Sequence, residues 1–318
     1  MSLTPEILTI YIVDLLFLFF ASIAFYLSIK ISLNYDRNSN TAQQYDLEKK
    51  SYLATTIIKF IFFIKIPLFV FFVFTLDKIS DILIGAMCAA GVVNATEYGT
   101  PLLILKMLNL YLFAFWISMN ALDMKEEKQA YFKKKFYLFL LAYVFLVLEI
   151  IVEIVMFSSI DVNSVVDCCG AIFSVTDASY ISEILSKDML LMYLFYANAV
   201  VLFFGYILKQ RSLYSIASFS FLIVALFSLI SFFGTYIYQL PTHHCPFCML
   251  QKEYGYIGYI LYIALFYGTF YGISLPLLSY NDEDLKKRFS LSFILSITYV
   301  ILVSYYPLSY YLKNGVWL

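Results

Sequence analysis

Residues 189–238 read MLLMYLFYANAVVLFFGYILKQRSLYSIASFSFLIVALFSLISFFGTYIY. Two apolar segments, 189–208 and 212–238, are separated only by Lys209-Gln210-Arg211. A helix needs about 20 mainly apolar residues to cross a bilayer. Each segment is therefore long enough to span, and so short a connection forces the two to be antiparallel neighbours.

Outward from this pair, six further segments meet the same length requirement: 6–30, 53–76, 101–122, 136–158, 255–278 and 289–312. The expected fold is all-α, a polytopic transmembrane helix bundle of about eight spans forming one integral-membrane domain over 1–318. Seven spans with a re-entrant segment is the alternative, and Pro307 is expected to interrupt the end of the eighth span. The composition agrees: 62% of residues are hydrophobic, 20% aromatic and only 14% charged, against about 25% charged in a soluble domain. Mean hydropathy is +0.83. The net charge of -1, with no basic or acidic block, gives no sign of a nucleic-acid partner, and none is expected. Glu6, not a basic stretch, precedes the first apolar segment, so that segment reads as a span and not as a cleavable signal.

Lys and Arg in short loops set orientation. Fourteen of the 21 follow spans one, three, five and seven, four lie on the opposite side, and Lys59, Lys65 and Lys106 lie within spans. This bias makes the odd-numbered loops cytoplasmic and both termini outer. All five cysteines then fall on the outer face: Cys88, Cys168 and Cys169, and Cys245 and Cys248. In a bacterial inner membrane that face is the periplasm, where thiols can be oxidised.

MCAAGVVNATEYGTP, residues 87–101, leads into the third span, and HHCPFCMLQKEYGYI, residues 243–257, into the seventh. Each carries Cys and then Glu-Tyr-Gly, the spacing a parallel four-plus-four pseudo-repeat requires. Its halves would be 1–160 and 186–318, joined by an outer, Cys-bearing loop, 159–188.

Both histidines of the chain, His243 and His244, precede Cys245-Pro246-Phe247-Cys248. Pro246 suits a first helical position, which would put Cys245 at the cap and Cys248 on the first turn of the seventh span. The helix N-terminus favours thiolate, and His243, His244 and Lys252 would add to that field. A thiolate is both the attacking species in disulfide exchange and a soft metal ligand. Cys168 and Cys169 are adjacent, and the strained ring of a vicinal disulfide directs them to other partners. Cys88 sits among small residues, beside Met87 as Cys248 sits beside Met249; packing is the favoured role for both methionines. Within the spans, Glu149 and Glu153 share one helical face, and Lys106 is expected to meet one of them, as a proton relay or as a structural ion pair.

The run Cys245-Pro-Phe-Cys248-Met-Leu-Gln-Lys252 resembles the active site of DsbB-type membrane proteins, and its logic is similar to that of the vitamin K epoxide reductase family. The resemblance implies that Cys245 and Cys248 pass electrons to a quinone, that Lys252 is a quinone-side charge, and that loop cysteines exchange with a periplasmic protein carrying thiols. Those families have four or five spans, and adjacent histidines are not part of their pattern. A second reading is metal handling or metalloenzyme assembly, with copper or zinc held by ligands drawn from Cys88, Cys168, Cys169, His243, His244, Cys245 and Cys248. A third is a structural subunit of a membrane complex, with the cysteines as staples.

Overall fold

A computed structural model describes residues 4–36, 39, 41–125, 131–162, 164–166, 187–278 and 280–318. Among these residues all regular structure is helical. Eight helices are long and apolar enough to cross a membrane: α1 (Pro5–Asn34), α2 (Ala42–Ser80), α3 (Gly99–Lys125), α4 (Phe132–Ser159), α5 (Asp188–Leu208), α6 (Arg211–Tyr238), α7 (Ile257–Ser274) and α8 (Asp282–Asn314). Large apolar side chains such as Leu15, Phe19, Phe60, Leu141 and Ile301 are exposed along them. Such a surface belongs against lipid, and the chain is an integral membrane protein.

The helices begin where polar caps allow. Thr4 accepts from the Ile7 N–H at 3.4 Å, and Pro5 opens α1 where no N–H is needed. Asn281 accepts from the Asp284 N–H at 2.8 Å, and three acidic residues fill the first turn of α8. Thr41 likewise caps α2, accepting from the Gln44 N–H at 3.4 Å, and polar first turns carry α2 and α8 well beyond the apolar runs that mark them in the sequence. Pro67 and Pro307 lie inside continuous helices. The expected break at Pro307 does not occur, because a membrane helix can re-satisfy locally the carbonyl that proline leaves free.

The chain forms two compact units. The first contains α1–α4, within Met1–Ile84 and Val92–Val166. Its core stacks Phe62 on Phe113, ring centroids 4.2 Å apart, with Trp116 edge-on to Phe62 at 5.5 Å. Near one end of α3 and α4, Lys135 pairs with Asp123 at 2.8 Å, and Trp116 donates to the Lys135 carbonyl at 2.8 Å. Toward the other end of the same two helices lies a larger buried network. Lys65 reaches Asp14 at 2.8 Å and Glu149 at 3.1 Å, while Lys106 reaches Glu149 at 2.9 Å and Glu153 at 2.8 Å. Lys106 thus meets both glutamates where the sequence led us to expect one. Lys59, also inside a span, is exposed.

The second unit comprises Gly85–Gly91 with α5–α8. Phe195, Phe221, Phe233 and Tyr299 form its aromatic centre. Small residues make its tightest seam. A Cβ added to Gly272 would stand 2.0 Å from Ser218 Oγ and 2.9 Å from Ser292 Oγ, so α6, α7 and α8 meet with no room for a methyl group. Ser292 also donates to the Gly268 carbonyl at 2.5 Å. Gly272→Ala should therefore cost ~1–3 kcal/mol, the range for overpacking, read as a lowered thermal midpoint in detergent. Adding Ser218→Gly should restore most of it; an unchanged midpoint in the single variant would contradict this packing.

Candidate functional site

Three thiols of the second unit converge. The sulfurs of Cys88, Cys245 and Cys248 all lie within 4.8 Å of one another. Cys88 Sγ is 3.3 Å from Cys245 Sγ, a contact distance well beyond the ~2.05 Å of a disulfide. All three are buried, at 0%, 2% and 5% exposure, within the apolar core of the unit.

The backbone that delivers these sulfurs is not the start of a membrane helix. Cys248 opens a separate 3-10 turn, Cys248–Leu250, and a second one, Lys252–Tyr254, follows before α7 begins at Ile257. Gly255 (φ 64°) and Tyr256 (φ 58°) are both left-handed, and two such residues in succession cannot continue a right-handed helix. The expected placement of Cys245 at the cap of the seventh span and Cys248 on its first turn is therefore wrong.

Other groups hold the segment. The Tyr238 hydroxyl, at the end of α6, donates to the Cys245 carbonyl and accepts from the Met249 N–H at 3.1 Å. From α7, Tyr262 donates to the Pro246 carbonyl at 2.7 Å. Two tyrosines thus clamp successive carbonyls of the C-P-F-C turn. Gln251 Nε2 donates to the Met87 carbonyl at 3.3 Å, tying the residue next to Cys88 to the same segment. Gly85 (φ 89°) turns the chain into this stretch. Neither tyrosine stood out in the sequence. Their one signal was position, since a tyrosine near a helix end offers an apolar ring and a polar tip.

Hydrogen bonds shape the charge of the site. The Cys245 thiol is pulled down to about 5, by the Cys248 thiol above all, then by the Cys88 thiol and by the Phe247 and Cys248 N–H groups, against a burial penalty. The Phe247 N–H lies 3.4 Å from Cys245 Sγ. Cys248 is pushed up, because its proton is the one that solvates the Cys245 thiolate. At neutral pH these hydrogen bonds favour the thiolate at Cys245, with Cys248 protonated beside it.

Several residues singled out in the sequence stand apart from this triad. His244 Nδ1 is 3.1 Å from the Ile230 carbonyl, in the π-helical turn Leu229–Phe233 of α6. The His243 ring packs edge-on to Tyr238 at 4.4 Å. Neither imidazole belongs to the group of ligand atoms that gathers the three sulfurs. Lys252 is exposed on its 3-10 turn. The hydrogen-bond donors to the Cys245 thiolate are the neighbouring sulfurs and backbone. Met87 is 77% exposed, whereas Met249 is buried against Gly258. Cys168 and Cys169 lie outside the described residues. The two Glu-Tyr-Gly matches also differ in place: Gly99 opens α3, while Gly255 is a left-handed residue ahead of α7.

The sign of the pH dependence follows. A thiol whose folded value is depressed contributes stability that is present in full above its unfolded value, ~8.5, and that is lost as pH falls toward about 5. In a chain carrying Cys168→Ser and Cys169→Ser, ultraviolet thiolate absorbance should show one ionisation midpoint near pH 5. Cys248→Ala should move that midpoint upward, since it removes the strongest donor. Absence of thiolate at neutral pH would contradict the hydrogen-bond account.

No protein-family model, no curated protein and no solved structure matches this chain.

Proposed function

We propose that the protein is a membrane thiol–disulfide oxidoreductase whose Cys88, Cys245 and Cys248 form one exchange centre on the outer, periplasmic side of a bacterial inner membrane. The observation that carries this reading is the 3.3 Å contact between Cys88 Sγ and Cys245 Sγ, with Cys248 Sγ alongside. Three sulfurs in mutual reach are what an exchange centre needs: a bonded pair and a third sulfur poised to attack it.

In the oxidising half-reaction, Cys245 thiolate and Cys248 thiol lose two electrons and form a Cys245–Cys248 disulfide. A membrane quinone takes the electrons and becomes quinol with two protons, one from Cys248 and one from water. The Cys88 sulfur then attacks Cys245 Sγ, forming Cys88–Cys245 and breaking Cys245–Cys248, and its proton passes to the departing Cys248 sulfur, with no net oxidation. Cys168 or Cys169 would pass the disulfide to a periplasmic client thiol. Burial of the triad suits an acceptor that arrives through lipid, and it protects the thiolate from other oxidants. The similarity of the C-P-F-C-M-L-Q-K run to DsbB-type proteins supports the same reading, with exposed Lys252 as a charge for the quinone's polar head.

A second reading rests on the same spacing. Three donors at about 2.3 Å from one trigonal metal stand about 4 Å apart, and the triad's sulfurs lie within 4.8 Å of one another. A soft ion such as Cu(I) suits three thiolates, and zinc would need a fourth ligand.

Anaerobic purification of the full chain, followed by assay of bound metal and free thiols, separates the two. Exchange predicts no stoichiometric metal, and loss of two thiols with formation of one quinol per chain when a soluble quinone is added. Cys248→Ser should abolish quinol formation. Stoichiometric metal that shields the triad from alkylation, together with no quinol, would overturn the proposal in favour of the metal.

A further inference from the structure

The first unit holds a second chemically distinct centre, which the cysteine chemistry does not use. Asp14 on α1, Lys65 on α2, Lys106 on α3 and Glu149 and Glu153 on α4 are all buried. Carboxylate oxygens of Asp14, Glu149 and Glu153 lie within 4.8 Å of one another. Three acids thus face two ammonium groups. Tyr11 on α1 is a further ionisable neighbour of Glu153.

The partners are unequally shared. Glu149 accepts from Lys65, from Lys106 and, through Oε2, from Asn109 Nδ2 at 2.5 Å. Asp14 Oδ1 has no hydrogen bond among the described residues but keeps an ion-pair contact with Lys65 at 2.8 Å. Glu153 receives only Lys106, on Oε2 at 2.8 Å, and its Oε1 is buried with no hydrogen-bond partner among the described residues. That residue is 1% exposed and lines a cavity together with Asp14, Lys65, Lys106 and Glu149.

The size of the cavity selects the ligand. Its volume is ≈ 10 Å³, at the threshold for one water molecule. It excludes an organic substrate and any hydrated ion. A divalent cation would also have to sit among the two ammonium groups, which already occupy the carboxylate oxygens. One unbalanced negative charge in a membrane interior is neutralised most simply by a proton.

We propose that this cluster is a proton-binding site, that Glu153 carries one exchangeable proton on Oε1, and that the first unit thereby offers a proton-relay station within the membrane. The proposal rests on the first unit alone and is independent of the thiol reading.

Infrared spectroscopy of the full chain in lipid nanodiscs tests it. A buried protonated carboxyl gives a C=O stretch that shifts in D2O and disappears as pH rises. The wild type should show such a band at neutral pH, and Glu153→Gln should lack it while keeping the wild-type thermal midpoint, because the amide retains an acceptor for Lys106 and needs no proton. Glu149→Gln should lower the midpoint, since it weakens pairs with both lysines. Lys65→Met should double the band, because the charge count then calls for two protons. Lack of the band in the wild type, its persistence in Glu153→Gln, or a fall in midpoint in Glu153→Gln as large as in Glu149→Gln would overturn the proposal. So would sodium-dependent stabilisation at fixed pH that Glu153→Gln removes, which would assign the site to a metal cation.

Discussion

A bilayer interior supplies no hydrogen-bond partners and solvates no charge, and the architecture of this protein answers that one constraint. Each backbone amide inside the membrane must be satisfied by its own helix, which leaves long helices as the economical solution. Each polar side chain must then find a partner within the bundle. Serine hydroxyls on α1, α2, α4 and α6 fold back onto carbonyls three or four residues earlier. Lysines are gathered onto carboxylates, and small residues let α6, α7 and α8 approach closely enough for Ser292 to reach the Gly268 carbonyl.

The two units meet the constraint differently. The first concentrates charge, with two buried ammonium groups and three carboxylates locked by short contacts. A buried ion pair contributes little net stability relative to apolar packing, so a network of this size calls for a reason other than stability. The second unit contains no comparable charge among its described spans. Its polarity is concentrated in the C-P-F-C turn, where tyrosine hydroxyls hold the carbonyls and sulfurs solvate one another. The thiolate there is stabilised by thiol and backbone donors, and it is buried.

Much of the fold was legible in the sequence because hydropathy reports the lipid-facing surface directly. All eight spans coincide with apolar runs, and their ends were misjudged where polar turns such as Asp282-Glu283-Asp284 prolong a helix beyond the bilayer. Glu149 and Glu153 were readable as one buried face from their spacing. Asp14 was visible in the first span but was passed over, although a carboxylate there requires a partner as strongly as Glu149 does. The helix-mouth reading of C-P-F-C failed for a local reason: the proline motif suggests a helix start, and nothing in the letters announces that Tyr256 follows Gly255 into the left-handed region. The convergence of Cys88 on Cys245 spans 157 positions. A single sequence raised it as a question and had no physical means of answering it.

The central claim is that Cys88 and Cys245 exchange sulfur bonds directly. In a chain carrying Cys248→Ser, together with Cys168→Ser and Cys169→Ser, mild oxidation followed by proteolysis and mass spectrometry maps the bond that forms. The account predicts a Cys88–Cys245 disulfide within each chain, formed in high yield in membranes and before any link between chains. Cys88 and Cys245 left as separate thiols under those conditions, or linked only to a second copy, would contradict it.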